Sequence, residues 1–119
     1  MYRQQIANKQ AVGYKGEQLA INFLQAQGWE IKAHNYRIGH KEIDIIASKN
    51  KLLSLFEIKT KINDDHRYII SQSQQKTLRQ AHLAFCDYYQ LKPARVSYAL
   101  IVINYKNQLA TLQYYPSFL

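Results

Sequence analysis

The chain has 119 residues, 47% hydrophobic and 20% charged, with only two prolines and four glycines. This is the composition of one globular domain with a single core, and it excludes a disordered chain, a low-complexity tail or a linker-joined pair of domains. Sixteen Lys and Arg against eight Asp and Glu leave a formal charge of +8, which favours a polyanionic partner; nucleic acid ranks before a membrane because the cations are scattered rather than gathered on an amphipathic helix.

In chain order, Val12, Gly16, Leu19, Ala20, Phe23 and Leu24 recur with a period near 3.6 residues, predicting a first helix over 12–27 that Gly28 terminates. WEIKAHNYR alternates Trp29, Ile31 and Ala33 against Glu30, Lys32 and His34, as a half-buried strand does. IGHK is a turn, EIDIIAS a second strand, KNK a second turn and LLSLFEIKTK a third strand, followed by a polar, irregular stretch over 61–70. A second helix is expected over 71–90, with Leu78, Ala81, His82, Phe85, Tyr88 and Tyr89 as its inner stripe. Pro93 ends it, VSYALIVI reads as a strand buried on both faces, and QLATLQYY supplies the last strand. The order is α-β-β-β-α-β-β: an α/β domain, residues 1–119 with a core from about 12 to 115, built on a five-stranded mixed sheet flanked by helices. The second helix is the crossover that makes the fourth strand parallel to a neighbour.

Of the eight carboxylates, Glu42, Asp44 and Glu57 lie in or beside two apolar strands. Period-two alternation places Asp44 with Glu42 and Ile46, Ile43 with Ile45, and Glu57 with Lys59. If the strands pair through a turn centred between residues 50 and 51, Asp44 and Glu57 become cross-strand neighbours, with Cβ atoms roughly 4.5–5.5 Å apart. Like charges so close need a cation, a shared proton or the Lys59 ammonium. Oxygen ligands without a Cys or His cluster suit a hard ion, Mg²⁺ or Mn²⁺, one or two of them, to which the Ile58 carbonyl can add an oxygen. Glu17, at the margin of the first helix's buried stripe, can reach the sheet. Such a set suits metal-assisted phosphodiester hydrolysis, with Lys59 holding a water or stabilising charge; the plainer alternative is a Glu57–Lys59 salt bridge on a wet face, and Glu42 beside Lys41 reads as structural.

GYKGEQLAINFLQAQGWEIKAHNYR, KEIDIIA and LLSLFEIKTK together resemble the YraN-like uncharacterised protein family, with its G-x-x-G-E helix, N-x-R strand, E-I-D-L-I-A strand and V-F-V-E-V-K-x-R strand. The likeness runs from about Gly13 to Leu112. That family is similar in turn to the PD-(D/E)XK nucleases, which include restriction enzymes and Holliday-junction resolvases. The resemblance implies a restriction-endonuclease-like core, Asp44 as the metal-binding aspartate, Glu57 and Lys59 as the E-x-K, Glu17 as the helix glutamate, and Gln75 and Lys76 as supporting residues on the second helix. Three positions depart from the family: Lys41 replaces a Gly, Arg95-Val96-Ser97 replaces Arg-Phe-Asp, and Lys61 replaces an Arg.

Arg37, Lys61, Arg67, Gln75 and Lys76 are the expected nucleic-acid contacts, with DNA favoured over RNA and structure favoured over sequence because no base-reading element is present. The histidines at 34, 40, 66 and 82 lack metal-ligand spacing; His82 reads as packed and hydrogen-bonded, and Cys86 as inert packing. Among the ten tyrosines, Tyr36 and Tyr68 either stack on bases or pack. No apolar run reaches the roughly 18–20 residues of a membrane span, the N-terminus lacks a secretory h-region, and Cys86 stands alone, so the expected setting is cytoplasmic. A homodimer would suit a branched substrate cut twice. The expectation is thus a metal-dependent endonuclease-like protein. Its rivals are a nucleic-acid-binding module with a vestigial or structural acidic site and, more distantly, a protein-interaction scaffold.

Overall fold

The computed structural model describes residues 2–7, 16–62, 71–93, 95–106 and 109–116. They form β1 (Tyr2–Ala7), α1 (Gly16–Ala26), β2 (Glu30–Ile38), β3 (Lys41–Lys49), β4 (Leu52–Ile62), α2 (Gln72–Tyr89), β5 (Arg95–Lys106) and β6 (Leu109–Tyr115). The strands make one six-stranded sheet in the order β1-β6-β5-β4-β3-β2. Five of them and both helices follow the order expected from the sequence; β1 is the addition, an edge strand antiparallel to β6. Every pairing among the described residues is antiparallel except β4 with β5. That single parallel pair follows from connectivity, since α2 carries the chain back between them.

The sheet separates two apolar layers. On one side Leu19, Ala20, Phe23 and Leu24 of α1 pack with Ile45, Phe56, Ile58, Ile101, Ile103 and Leu112. On the other, Leu78, Ala81 and Phe85 of α2 pack with Ile43, Ile46, Leu53 and Leu55. Alternation along β4 divides its side chains cleanly, Leu53 and Leu55 to the α2 layer and Phe56 and Ile58 to the α1 layer. β5 is buried continuously from Ala99 to Ile103, as a central strand covered on both faces must be.

Local chemistry fixes the element ends. Gly28 has φ +94 just past α1, a conformation that costs glycine least. At the start of α2 the Ser71 hydroxyl accepts from Gln74 N–H while the Gln74 side chain accepts from Ser71 N–H, and Gln90 in the left-handed region closes the other end. Asn50 and Lys51 both have positive φ, the signature of a two-residue hairpin turn, and Lys49 pairs with Leu52 across it. The turn centre lies between residues 50 and 51, as expected from the sequence.

Two expectations are corrected. The last turn of α2 runs beyond the core, so Tyr88 and Tyr89 are 77% and 54% exposed rather than part of the inner stripe. Ile43 and Ile45 do not share a face: Ile43 packs in the α2 layer and Ile45 in the α1 layer. The cause is a break in alternation where Asn35, with φ +54, stands opposite Asp44 in the β2–β3 register. Asparagine tolerates this left-handed conformation better than most residues do.

Candidate metal centre

The site lies where two strands part. The β3–β4 ladder runs from Lys49↔Leu52 to Ile45↔Phe56 and stops there. Beyond that point β3 stays paired with β2 as far as Lys41, and β4 stays paired with β5 as far as Ile62. The register constant of the hairpin sets Asp44 opposite Glu57, one step past the last pair. The backbone N–H of Ile58 donates instead to Asp44 Oδ2 at 2.7 Å. The carboxylate thereby satisfies a donor that the parted ladder leaves without a carbonyl from β3.

Glycine brings the helix in. A Cβ at Gly16 would lie 2.1 Å from Thr60 Oγ1, so the first turn of α1 rests against β4 closely enough to require a small residue. Glu17, the next residue, is thus delivered to the fork. Glu17, Glu42 and Asp44 each offer a carboxylate oxygen, and these atoms lie within 4.8 Å of one another. His34 Nε2 is 2.8 Å from Glu17 Oε2. With its amide nitrogen turned toward the carboxylates, Asn35 donates to Glu42 Oε1 at 2.9 Å and to Glu17 Oε2 at 3.0 Å. Arg37 Nη2 stands 3.8 Å from Glu42 Oε2 at the exposed rim.

Glu57 is buried beside this group, 8% exposed. Burial, and then the Asp44 charge, push its carboxyl from the ordinary 4.5 up to about 7, against the pull of the Lys59 ammonium. Burial also raises Asp44; the Ile58 N–H draws it back down, while the charges of Glu17 and Glu42 add to the rise and that of Lys59 opposes it. In both cases burial is the largest cause; neighbouring carboxylates add to the rise and Lys59 opposes it. An all-oxygen donor set with excess negative charge matches a hard divalent cation, and the Glu17, Glu42 and Asp44 cluster can hold one.

Of the residues expected from sequence, Glu17 and Asp44 converge, with Glu42 rather than the expected Glu57 as the third member of the carboxylate cluster, while Glu57 and Lys59 lie near enough to act on Asp44 electrostatically. Ile58 enters through its N–H, which Asp44 accepts. Arg37 sits at the rim, and Lys61 is half-buried two residues beyond Lys59. Gln75 is half-buried and Lys76 exposed in the first turns of α2, whose start is tied to β3 by Lys41 Nζ to Ser73 Oγ at 3.4 Å. Arg67, His66 and Tyr68 lie outside the described residues. Glu42, which also stands 3.8 Å from Arg37, joins the cluster, and period-two alternation from Asp44 is the signal for it. His34 carries no such signal; Asn35 opens the N-x-R motif of the resemblance, but its contact with the carboxylates depends on the three-dimensional meeting with α1.

The remaining candidates are packing residues. Tyr36 meets Phe85 edge-on at 5.3 Å, the Tyr98 hydroxyl hydrogen-bonds His82 Nδ1, and half-buried Cys86, its thiol pushed up by burial, packs against the α2 layer. Ser97, at the departing position, donates to Ser54 Oγ at 2.8 Å, well back along the sheet from the fork. No described helix is long and apolar enough to cross a membrane.

Fold and site together define a mixed α/β domain bearing a carboxylate cluster at a strand fork. The pattern that defines the uncharacterised protein family UPF0102 matches residues 16–103, a stretch that contains every site residue above, and the chain belongs to that family. The UPF0102 protein of Ehrlichia chaffeensis is 42% identical over 78 residues, 66% of this chain and 63% of its own length. That of Chloroherpeton thalassium is 38% identical over 80 residues, covering 65% of this chain and 62% of the relative. That of Myxococcus xanthus is 24% identical over 119 residues, covering 98% and 94%. The aligned part therefore spans under two thirds of the first two relatives and nearly all of the third.

Proposed function

We propose that this protein is a divalent-metal-dependent nuclease that hydrolyses phosphodiester bonds in structured or single-stranded nucleic acid, DNA before RNA. The observation that carries the reading is the convergence of Glu17, Glu42 and Asp44 oxygens within 4.8 Å, beside Lys59 and the buried Glu57. Glu17, Glu42 and Asp44 would hold Mg²⁺ or Mn²⁺, which when bound supplies Lewis-acid polarisation of a phosphoryl oxygen and makes a water more acidic. Glu57, with its carboxyl poised near neutral pH, accepts a proton from the attacking water. Lys59, on the same face of β4, places its ammonium beside the charge that grows on the phosphate. Asn35 and His34 hold Glu17 and Glu42 in position by hydrogen bonds.

The chain's net charge of +8 supports the choice of substrate, since a polyanion gains from it while the site itself is acidic. The likeness of the EID strand and the E-x-K strand to those of PD-(D/E)XK nucleases supports the reaction class. The test is incubation of wild type, Asp44→Asn and Lys59→Met with duplex, branched, flapped and single-stranded DNA and RNA, with Mn²⁺, Mg²⁺ or EDTA. Cleavage by wild type that requires the divalent ion, disappears in Asp44→Asn and is strongly slowed in Lys59→Met is expected. Cleavage that persists in Asp44→Asn would sink the proposal.

A further inference from the structure

The opposite end of the same hairpin carries the reverse charge. On one side of its tip lies an open cleft of about 510 Å³ walled by Phe23, Trp29 and Tyr114 and edged by Lys49 and Arg95. On the other lies a second cleft, of about 570 Å³, floored by Leu52, Leu53, Leu91 and Pro93 and edged by Lys32, Lys51 and Lys92. Both clefts include Leu52, so they flank a single feature, the β3–β4 turn. The register sets Lys49 opposite Leu52 and Leu52 opposite Arg95. Lys49 and Arg95 are therefore two strand spacings apart, about 10 Å. Lys49 is anchored, its ammonium donating to Gln27 O at 2.5 Å and lying 6.0 Å from the Trp29 ring centroid, while Lys51, Lys92 and Arg95 are exposed. Among the described residues the nearby carboxylates are Glu30, paired with Lys32, and Asp87 in the last turn of α2.

We infer that this hairpin tip is a backbone-phosphate-binding surface for a nucleic-acid arm. The cations are spread around the turn rather than converged on one point, which suits successive phosphates of a polymer better than a single small anion. The shallow, open clefts on both sides admit a strand passing over the tip. Tyr88 and Tyr89, the exposed rings that end α2 just before Leu91, add faces on which unpaired bases can stack. The surface deepens the nuclease reading and rests on it for the identity of the polymer. Asp44 and Lys49 are five residues apart on one strand, about 17 Å. A substrate must then extend about five nucleotide steps of 3.4 Å from the cut phosphate to touch the tip. This makes the tip a length-sensing contact, separate from the carboxylate cluster.

The test measures binding of a labelled duplex of about 20 base pairs by fluorescence anisotropy across a salt series. The chain carries Asp44→Asn and EDTA is present, so that no cleavage intervenes. It is compared with the same chain also carrying Lys51→Gln, Lys92→Gln and Arg95→Gln, exposed positions whose neutralisation leaves the core intact; thermal melts verify the fold. Loss of three phosphate contacts should weaken binding about tenfold or more and flatten the log–log salt slope by about 2.7, at 0.9 per contact. An unchanged affinity and slope would overturn the inference. So would an equal loss per charge from Arg79→Gln, on the exposed side of α2. The two readings separate: a wild type that cleaves nothing beside a triple variant that loses binding refutes the nuclease and keeps the surface. Normal cleavage with unchanged binding does the reverse.

Discussion

Glu57 offers the sharpest quantitative test. Its carboxyl is 8% exposed and is pushed from 4.5 to about 7 by burial and by Asp44. At 1.36 kcal/mol per pKa unit, the ionised form in the fold is disfavoured by about 3 kcal/mol relative to the unfolded chain. The sign follows from linkage: a raised carboxyl means the native state binds more protons than the unfolded one between these pH values. Its destabilisation therefore grows as pH rises through 4.5 and is complete above about 7. Glu57→Gln removes the charge and keeps the shape. Without divalent ions at pH 8 it should be about 2–3 kcal/mol more stable than wild type, a rise in Tm of roughly 8–12 °C at about 4 °C per kcal/mol. By pH 5 the advantage should shrink below about 1 kcal/mol. Saturating Mn²⁺ should raise both proteins, since Glu17, Glu42 and Asp44 are present in each and a ligand at a hundred times its Kd adds about 2.7 kcal/mol to a protein that binds it. Thermal melts at pH 5 and pH 8, with EDTA or Mn²⁺, provide the assay. A variant that melts at or below wild type at pH 8 in EDTA, or gains equally at both pH values, would refute the reasoning.

Gly16→Leu should displace the first turn of α1 from Thr60, cost roughly 1–3 kcal/mol by overpacking, and weaken Mn²⁺ binding through Glu17; melting and calorimetry read the two effects. Glu42→Gln, which keeps the Asn35 contact but removes one charge from the cluster, should weaken metal binding about tenfold, and unaltered binding would return Glu42 to a structural role. Lys59→Met should lower the rate constant for cleavage by about 10²–10³, the range for removal of one charge-stabilising donor, while leaving the metal affinity equal or higher; single-turnover kinetics distinguish these. Ser71→Ala should cost about 1 kcal/mol through the lost cap of α2, measured by urea denaturation, with no change in metal affinity.

Short-range rules govern what is legible in the sequence. The hairpin register depends only on a two-residue turn, so counting outward from residues 50 and 51 reproduces the ladder as far as Ile45 with Phe56 and sets 44 facing 57 one step beyond it, and α2 starts within a residue of the expected 71. Pro93 and Gly28 mark element ends for the same reason. β1 escapes because YRQQIA has no apolar alternation to distinguish an edge strand from a tail; it is stabilised by its ladder with β6, a partner about a hundred residues away. Tyr88 and Tyr89 mislead because helical periodicity continues after the sheet beneath it has ended.

The site shows the same division. Asp44, Glu57 and Lys59 are readable because strand alternation and a two-residue turn suffice. Glu42 obeys the same alternation, but its neighbour Lys41 offers a local partner that makes it look structural. Its place becomes clear only where Asn35 breaks the β2 pattern and the β3–β4 ladder stops. That break is also why Ile43 and Ile45 part company. Hydrophobic pattern reports which face is buried; it does not report where two strands cease to pair, and the carboxylates collect at that point.

The proposed function depends on whether the carboxylate cluster at the strand fork binds a divalent cation. Calorimetric titration of Mn²⁺ into wild type and Asp44→Asn at pH 8 tests it most directly. Saturable binding by wild type at one or two sites is expected, and no binding above background by the variant. Equal heats from the two proteins, or none from wild type even with nucleic acid present, would contradict it.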